Sequence, residues 1–530
     1  MQVSRTVLKS INAAALAGLL ALSTPASAET LRWVRSADAA SLDVHSRNEG
    51  TTLAFLKHLY EPLVDRAVDG SLVPLLATSW RMLPDDSRTW EFKIREGVVF
   101  HDGSPLTAED VAFSLERARA QASGMRSFLS GVEEISAVDD HTVHVRLVGT
   151  SPIFPTNLTP ILIMSKAWSQ KHGSEQPQDY TAGSSNYATL NENGTGRYRL
   201  VSRDVDVLSV MEHFPDHWSD ETPDITQIQY RTITDGATRL AALLSGEVDL
   251  VQDVPVQDVE RLRSAANIRV VNGPENRIIY FGYDLSSENL KSSNVEGNPF
   301  LDARVREAMA LATNRDAIRD VVMRGLSIPT GVPVPPFVAG WTAELDAYRQ
   351  PDIVRAKELM AEAGYENGFS VQLDCPNDRY VNDEAICLAL TGMLAQINIK
   401  IDLHSASRNI IFPKVQADES DFFLFGAGVP TFDSAYLFDV LYHSKEGPYG
   451  AYNGSKLKDD AIDARIEALA SETDVDKRLQ DLVGIWKTIK DDYLVLPIHN
   501  QTLSYAMNDR FDIAVHPEDM PNMGSLKVVK

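Results

Sequence analysis

The chain has 530 residues, a formal net charge of −24, 44% hydrophobic and 8% aromatic residues and two cysteines. A length of roughly 500 residues exceeds what one hydrophobic core supports, so two or three domains are expected. So acidic a surface repels nucleic acid and anionic lipid, which excludes the proteins that hold either by charge, but it leaves open what a pocket of opposite character could bind.

The first elements concern address. Residues 1–28 combine a basic start (Arg5, Lys9), an apolar stretch from Ile11 to Leu22 and small residues at Ala26 and Ala28. They read as a cleavable secretory signal cut before Glu29. The apolar run falls short of the about eighteen residues a membrane span needs. No Cys follows it, so the expectation is a chain free in the periplasm and not lipid-anchored. Cleavage removes Arg5 and Lys9 and no acid, taking the charge from −24 to −26.

Beyond the signal, strands and helices alternate. Thr89–Phe100 alternates with period two and reads as a strand running into a turn at His101-Asp102-Gly103. Thr107 then offers a helix N-cap, with Glu109 and Asp110 in the first turn and Val111, Leu115 and Ala118 on one face. Further strands are expected at His141–Leu147, Val207–His213 and Ile278–Asp284. Helices are expected at Ala237–Gly246, Ala303–Thr313, Asp352–Gly364 and Glu384–Ile397. Such mixing implies α/β layers in more than one domain.

The segment Leu373–Leu394 is the most informative locally: a strand ends at Cys375, a Pro-Asn-Asp loop turns, and a helix starting near Asp383 carries Cys387 in its first turns. In an oxidising compartment a Cys375–Cys387 disulfide is the default. A metal site is the rival, but the spacings of zinc sites are missing. Pairing would fix both ends of the loop that carries Arg379. A second segment, Asp421–Ser444, begins as a buried strand and breaks at Gly426, Gly428 and Pro430, where glycine lets the backbone approach a ligand. Asp433 precedes Ser434 as a candidate N-cap. Tyr380, Phe432 and Tyr436 suit either a side-chain pocket or a core.

Enzymatic signatures are missing. No G-x-S-x-G elbow, H-E-x-x-H helix or P-loop occurs. His141 and His144 project to opposite faces of a strand, which disfavours a shared metal, and His443 reads as a surface helix residue. No catalytic residue, metal or cofactor is assigned.

In order along the chain, the stretches "LATSWRMLPDDSRTWEFKIREGVVFHDGSPLTAEDVAFSLERA", "GTGRYRL", "LLSGEVDL", "NPFLDARVREAMALATNRDAI" and "KELMAEAGYENGF" resemble the peptide and nickel class (family 5) of extracytoplasmic solute-binding proteins, the receptors of ABC importers. The resemblance implies a two-lobed α/β periplasmic binding protein fold of the large three-domain type with hinge strands between the lobes. It places domain I at 29–62, 195–282 and 501–530, domain II at 63–194, and domain III, the second lobe, at 283–500. It sets Arg379 against a ligand carboxylate, and the loop around Ser41 towards the cleft, where Asp38 and Asp43 read as turn formers. Family members carry an Asp, usually in an Asp-Pro pair, for a ligand ammonium. Here Val429 precedes Pro430, so that role passes to Asp433 across an uncertain local alignment. The alternative for Arg379 is a pairing with Asp378 or Asp383.

The resemblance thus implies a carrier of a short peptide or peptide-like solute that serves an inner-membrane permease, a monomer being the simplest case; its candidate site takes Ser41, Arg379 and Asp433 from the resemblance and Gly428, Tyr380, Phe432 and Tyr436 from the residues themselves. A non-peptide cargo (an opine, a metal chelate, an oligosaccharide) is the alternative, and an extracytoplasmic peptidase a more distant one.

Overall fold

The computed structural model describes residues 29–529 except 181 and 448; the secretory signal read at 1–28 lies outside the described residues. Two long strands, Ile268–Tyr283 and Val495–Asn508, run antiparallel through the middle of an eleven-stranded sheet and belong to both halves of the molecule. On one side of them lie Leu250–Val251, Glu29–Arg35, Ile225–Thr232, Leu208–His213 and Tyr198–Asp204. On the other lie Phe422–Ala427, Phe369–Pro376 and Ile399–Ala406, while Ser327–Pro329 pairs with Val495–Asn508. A separate four-stranded sheet of Ala77–Leu83, Asp86–Ile94, Thr142–Leu147 and Val132–Asp139 packs onto the first side. The result is the two-lobed α/β fold expected from the sequence.

Each lobe has its own core. Trp33, Phe55, Tyr60, Phe92 and Tyr230 are sealed in the first, and Phe281, Phe300, Leu373, Ile386 and Phe422 in the second. Every such aliphatic or Phe side chain contributes about 1.5–3 kcal/mol by leaving water. A further cluster around Phe438, Leu482 and Trp486 extends the second lobe.

The expected elements form with displaced ends. The strand read from Thr89 stops at Ile94, because Gly97 takes a φ of +74° and turns the chain early. Helix Ala108–Ala118 starts after Thr107, whose N–H and hydroxyl both donate to Asp110 at 2.9 Å. Gly426 lies inside its strand, which continues to Ala427 before the chain breaks. His443 is not a surface helix residue: it is buried, stacked on Tyr449 and hydrogen-bonded to the Ser444 carbonyl at 2.8 Å. Asp38 and Asp43 do more than form turns. Asp38 pairs with Arg203 at 3.1 Å, and Asp43 holds the fully buried Arg117 at 2.7 Å. Burial pushes the Asp43 carboxyl up, but the Arg117 hydrogen bonds and charge outweigh it and bring it down to about 2.

Buried histidines make the fold acid-sensitive. Burial lowers His45 to about 3, His58 to about 4 and His499 to about 3. An unfolded chain would bind these protons below about pH 6.5, so the stability tied to neutral imidazole is present above that pH and is lost as pH falls towards the folded values. Burial raises Asp439 to about 7 and Asp519 to about 6, which acts oppositely over the same range and offsets part of the loss. Each histidine costs about 2 kcal/mol between pH 7 and pH 5. His58→Gln should therefore flatten the fall in denaturant midpoint between those pH values; an unchanged slope would show that His58 does not contribute.

Candidate functional site

The two central strands do not pair continuously. Pro274 faces Thr502 and Ile278 faces Asn500, so Glu275, Asn276 and Arg277 bulge out of the ladder where one lobe becomes the other. The Asn500 side chain secures the bulge by donating to the carbonyls of Glu275 and Arg277 at 2.7 and 2.6 Å. Asn276 ties three segments together: its N–H donates to the Pro517 carbonyl at 2.7 Å, its Nδ2 to the Val429 carbonyl at 2.8 Å, and its Oδ1 accepts from the Val429 N–H at 3.2 Å. A Cβ on Gly428 would lie 3.0 Å from the Asn276 carbonyl oxygen, so the close approach of this loop favours glycine.

Around the bulge lies an interlobe cavity of about 380 Å³. The first lobe contributes Asn48, Lys57, Phe128 and Glu518, the bulge Glu275 and Arg277, and the second lobe Arg379, Gly428 and Tyr436. Its charges sort into matched and unmatched. Lys57 pairs with Asp65 at 2.6 Å and Arg277 with Glu275 at 2.8 Å. Among the described residues, Arg379 has no ion-pair or hydrogen-bond partner for its guanidinium, and Glu518 none for its carboxylate. The cleft thus presents a cation from one lobe and an anion from the other, neither held in a close ion pair; Arg66 and His516 act on Glu518, and Glu275 on Arg379, only at longer range.

The loop before helix Asp383–Leu394 explains why Arg379 is free. Asp383 accepts the backbone N–H groups of Arg379 and Tyr380, both at 3.0 Å, and Asp378 accepts the Ser407 hydroxyl and the Arg408 N–H, both at 2.7 Å. Both acids that could have neutralised the guanidinium hold backbone and neighbouring groups instead. The guanidinium rests over the Tyr380 ring at 5.3 Å, and the Tyr380 hydroxyl donates to the Gly426 carbonyl at 3.1 Å. Gly426 is required there, because a Cβ would come within 2.6 Å of that ring. Burial, and then the neighbouring Arg277, lower the Arg379 pKa, and the opposing pull of Glu275, itself paired with Arg277, is too weak to cancel them.

The disulfide Cys375–Cys387 closes this loop, as the sequence suggested. Such a short loop stabilises by about 2–3 kcal/mol through the unfolded chain. Thermal melts with and without a thiol reductant should separate by that amount; coincident melts would show that the bond adds nothing.

Other expected site residues face elsewhere. Ser41 is buried, donates to Gln178 Oε1 at 2.7 Å and accepts the Asp43 N–H at 3.1 Å. Phe432 sits between Phe337 and the Arg66 guanidinium, 4.1 Å above its ring, and so forms a contact between lobes and not a wall of the cavity. Tyr380 supports Arg379 from within the core. Asp433 caps helix Ser434–Leu437 through the Ala435 N–H at 2.9 Å and binds Arg478 with both oxygens, at 2.5 and 2.9 Å. Its carboxylate is occupied and does not line the cavity, which corrects the ammonium-binding role read for it. The N-cap reading of the same residue holds.

Sequence reasoning missed Glu275, Arg277 and Glu518. The only local signal was Pro274, a residue that interrupts a strand ladder. Nothing near Glu518 marks it. Among the described residues, no group of three or more His, Cys, Asp and Glu could hold a metal ion, and no helix is long and apolar enough to cross a membrane.

Similar proteins carry this architecture. The glutathione-binding protein GsiB of Pectobacterium atrosepticum is 25% identical over 443 residues, 82% of this chain and 81% of its own. The ABC transporter substrate-binding protein CtaP of Listeria monocytogenes superposes with a TM-score of 0.80 at 23% identity, over 95% of this chain and 99% of its own. A dipeptide-binding protein from Pseudoalteromonas in complex with Met-Leu superposes with a TM-score of 0.70 at 21% identity, over 94% and 100%. Residues 71–449 match the model of the bacterial extracellular solute-binding proteins, family 5, and with most of its length so matched, the chain belongs to that family.

Proposed function

We propose that this protein is a periplasmic receptor that closes its lobes around a short peptide or peptide-like zwitterion and delivers it to an ABC permease in the inner membrane. The observation that carries this reading is the pair of unmatched charges in one interlobe cavity, Arg379 from the second lobe and Glu518 from the first. A guanidinium binds a carboxylate through two parallel hydrogen bonds. Glu518, and not Asp433, then receives the ammonium. A ligand that bridges the two charges favours the closed arrangement over the open one, because only closure satisfies both ends. The similarity to proteins that bind glutathione and Met-Leu supports a peptide cargo. In this reading residues 1–28 direct export and are removed. Domain I comprises 29–62, 195–282 and 501–530, domain II 63–194 and domain III 283–500, and the chain acts as a binder, not as a catalyst.

Native mass spectrometry of the protein purified without added ligand tests the cargo. A heterogeneous set of short peptides is expected. One recurring non-peptide mass would replace the peptide with a dedicated solute. Titration with free and N-acetylated peptides tests Glu518: acetylation should weaken binding about tenfold or more in the parent protein and much less in Glu518→Gln. Equal sensitivity in both would remove Glu518 from the site.

A further inference from the structure

A second cavity, of about 420 Å³, lies in the second lobe and shares no lining residue with the cleft. It is walled by helix Ala303–Ala312, the end of helix Val475–Asp491 and the start of strand Val495–Asn508. Arg315 reaches it while only 5% exposed. Its Nε donates to the Pro497 carbonyl at 2.7 Å, and the guanidinium carbon lies 5.6 Å from the centre of the Tyr348 ring. Among the described residues no carboxylate pairs with it, and neither Nη atom has a hydrogen-bond partner.

The neighbouring cations are already satisfied. Arg349 pairs with Glu307 at 2.5 Å, and Lys490 donates to the carbonyls of Leu345 and Ala347, both at 2.6 Å. Asp316, next in sequence to Arg315, accepts the Tyr348 hydroxyl and pairs with Arg319, both at 2.9 Å. Arg315 is therefore a buried cation whose desolvation is offset only in part, by the Pro497 carbonyl, the tyrosines around it and Asp316 at longer range, with no carboxylate in contact to pair its charge. Its two Nη groups form a planar fork of the shape a carboxylate fits. Leu311, Pro333, Ile489 and Val495 supply apolar wall, and Tyr493 adds a phenol. Glu307 and Asp491 at the same cavity oppose a second negative charge.

We propose that this cavity is a second ligand site, separate from the cleft, which binds a small monocarboxylate with an apolar body through the Arg315 guanidinium. The full chain is titrated calorimetrically with benzoate, with hexanoate and with inorganic phosphate. Both carboxylates should bind in the millimolar range or tighter, and phosphate should not. Arg315→Met should weaken carboxylate binding to this cavity about tenfold or more, and should do so equally in an Arg379→Ala background, which removes the carboxylate fork of the cleft. Crystals soaked in 4-bromobenzoate should place the bromine anomalous peak in this cavity. Absence of carboxylate binding to the parent protein, equal affinity with and without Arg315→Met in the Arg379→Ala background, loss of all carboxylate binding on Arg379→Ala, preferential phosphate binding or a bromine peak confined to the cleft would each overturn the proposal. If Arg315→Met does not fold, Arg315→Lys, which keeps the charge but loses the fork, serves as the weakened variant. The outcome is independent of the cleft's cargo, because peptide binding reads on Arg379 and Glu518 and this site reads on neither.

Discussion

Arg379→Ala should lower the affinity for a carboxylate-bearing peptide by at least about tenfold, since a hydrogen bond to a charged group contributes about 1.5–3 kcal/mol and a micromolar complex totals about 8 kcal/mol. The fold should not suffer. The guanidinium makes no ion pair or side-chain hydrogen bond in the described residues, and the loop beneath it is held by Asp378, Asp383 and the Cys375–Cys387 bond. Removing a half-buried, unmatched charge is neutral or mildly stabilising. The expected signature is a large rise in calorimetric Kd with a melting temperature unchanged or slightly raised. Unaltered affinity would take Arg379 out of the site, and a fall in both quantities would recast it as structural.

Asp433→Ala should give the opposite pattern. Its carboxylate is matched to Arg478 through two hydrogen bonds in a buried setting and also caps a helix. Truncating it strands the Arg478 charge, which costs about 3–5 kcal/mol, and the lost cap adds about 1 kcal/mol. Removing both charges, as Asp433→Ala with Arg478→Met, should recover most of the pair's share, because an apolar replacement no longer leaves a buried ion without a partner. Urea denaturation of the two single variants and the double variant measures this. If Asp433→Ala unfolds at the parent midpoint yet loses peptide affinity, the ion pair is dispensable and the ammonium role returns to Asp433.

These two residues show how far the site was legible. Arg379 was singled out through the family resemblance, and its setting could be read because it is local: the strand end, the turn, the helix start and both cysteines fall within one short segment, and so does Asp383, which holds its backbone. Asp433 looked equally local, and its N-cap was read correctly. Its second partner lies 45 residues away on another helix, and competition for one carboxylate cannot be seen in the nearby sequence. Glu518 and the 275–277 bulge were less visible still, since neither has any pattern of its own.

The sequence alone determined whatever depends on neighbouring residues: the caps, the alternation of strands and helices, the spacing that lets Cys375 meet Cys387, and the ordered motifs that carry the family resemblance. Tertiary structure decided which charges stay unmatched. That depends on how distant segments meet, at a hinge bulge, a C-terminal stretch and the second-lobe loop, and on which carboxylates find a closer cation first. On the proposed reading, binding specificity resides in the charges left over once folding has paired the rest, so it becomes visible only when every pair is in place.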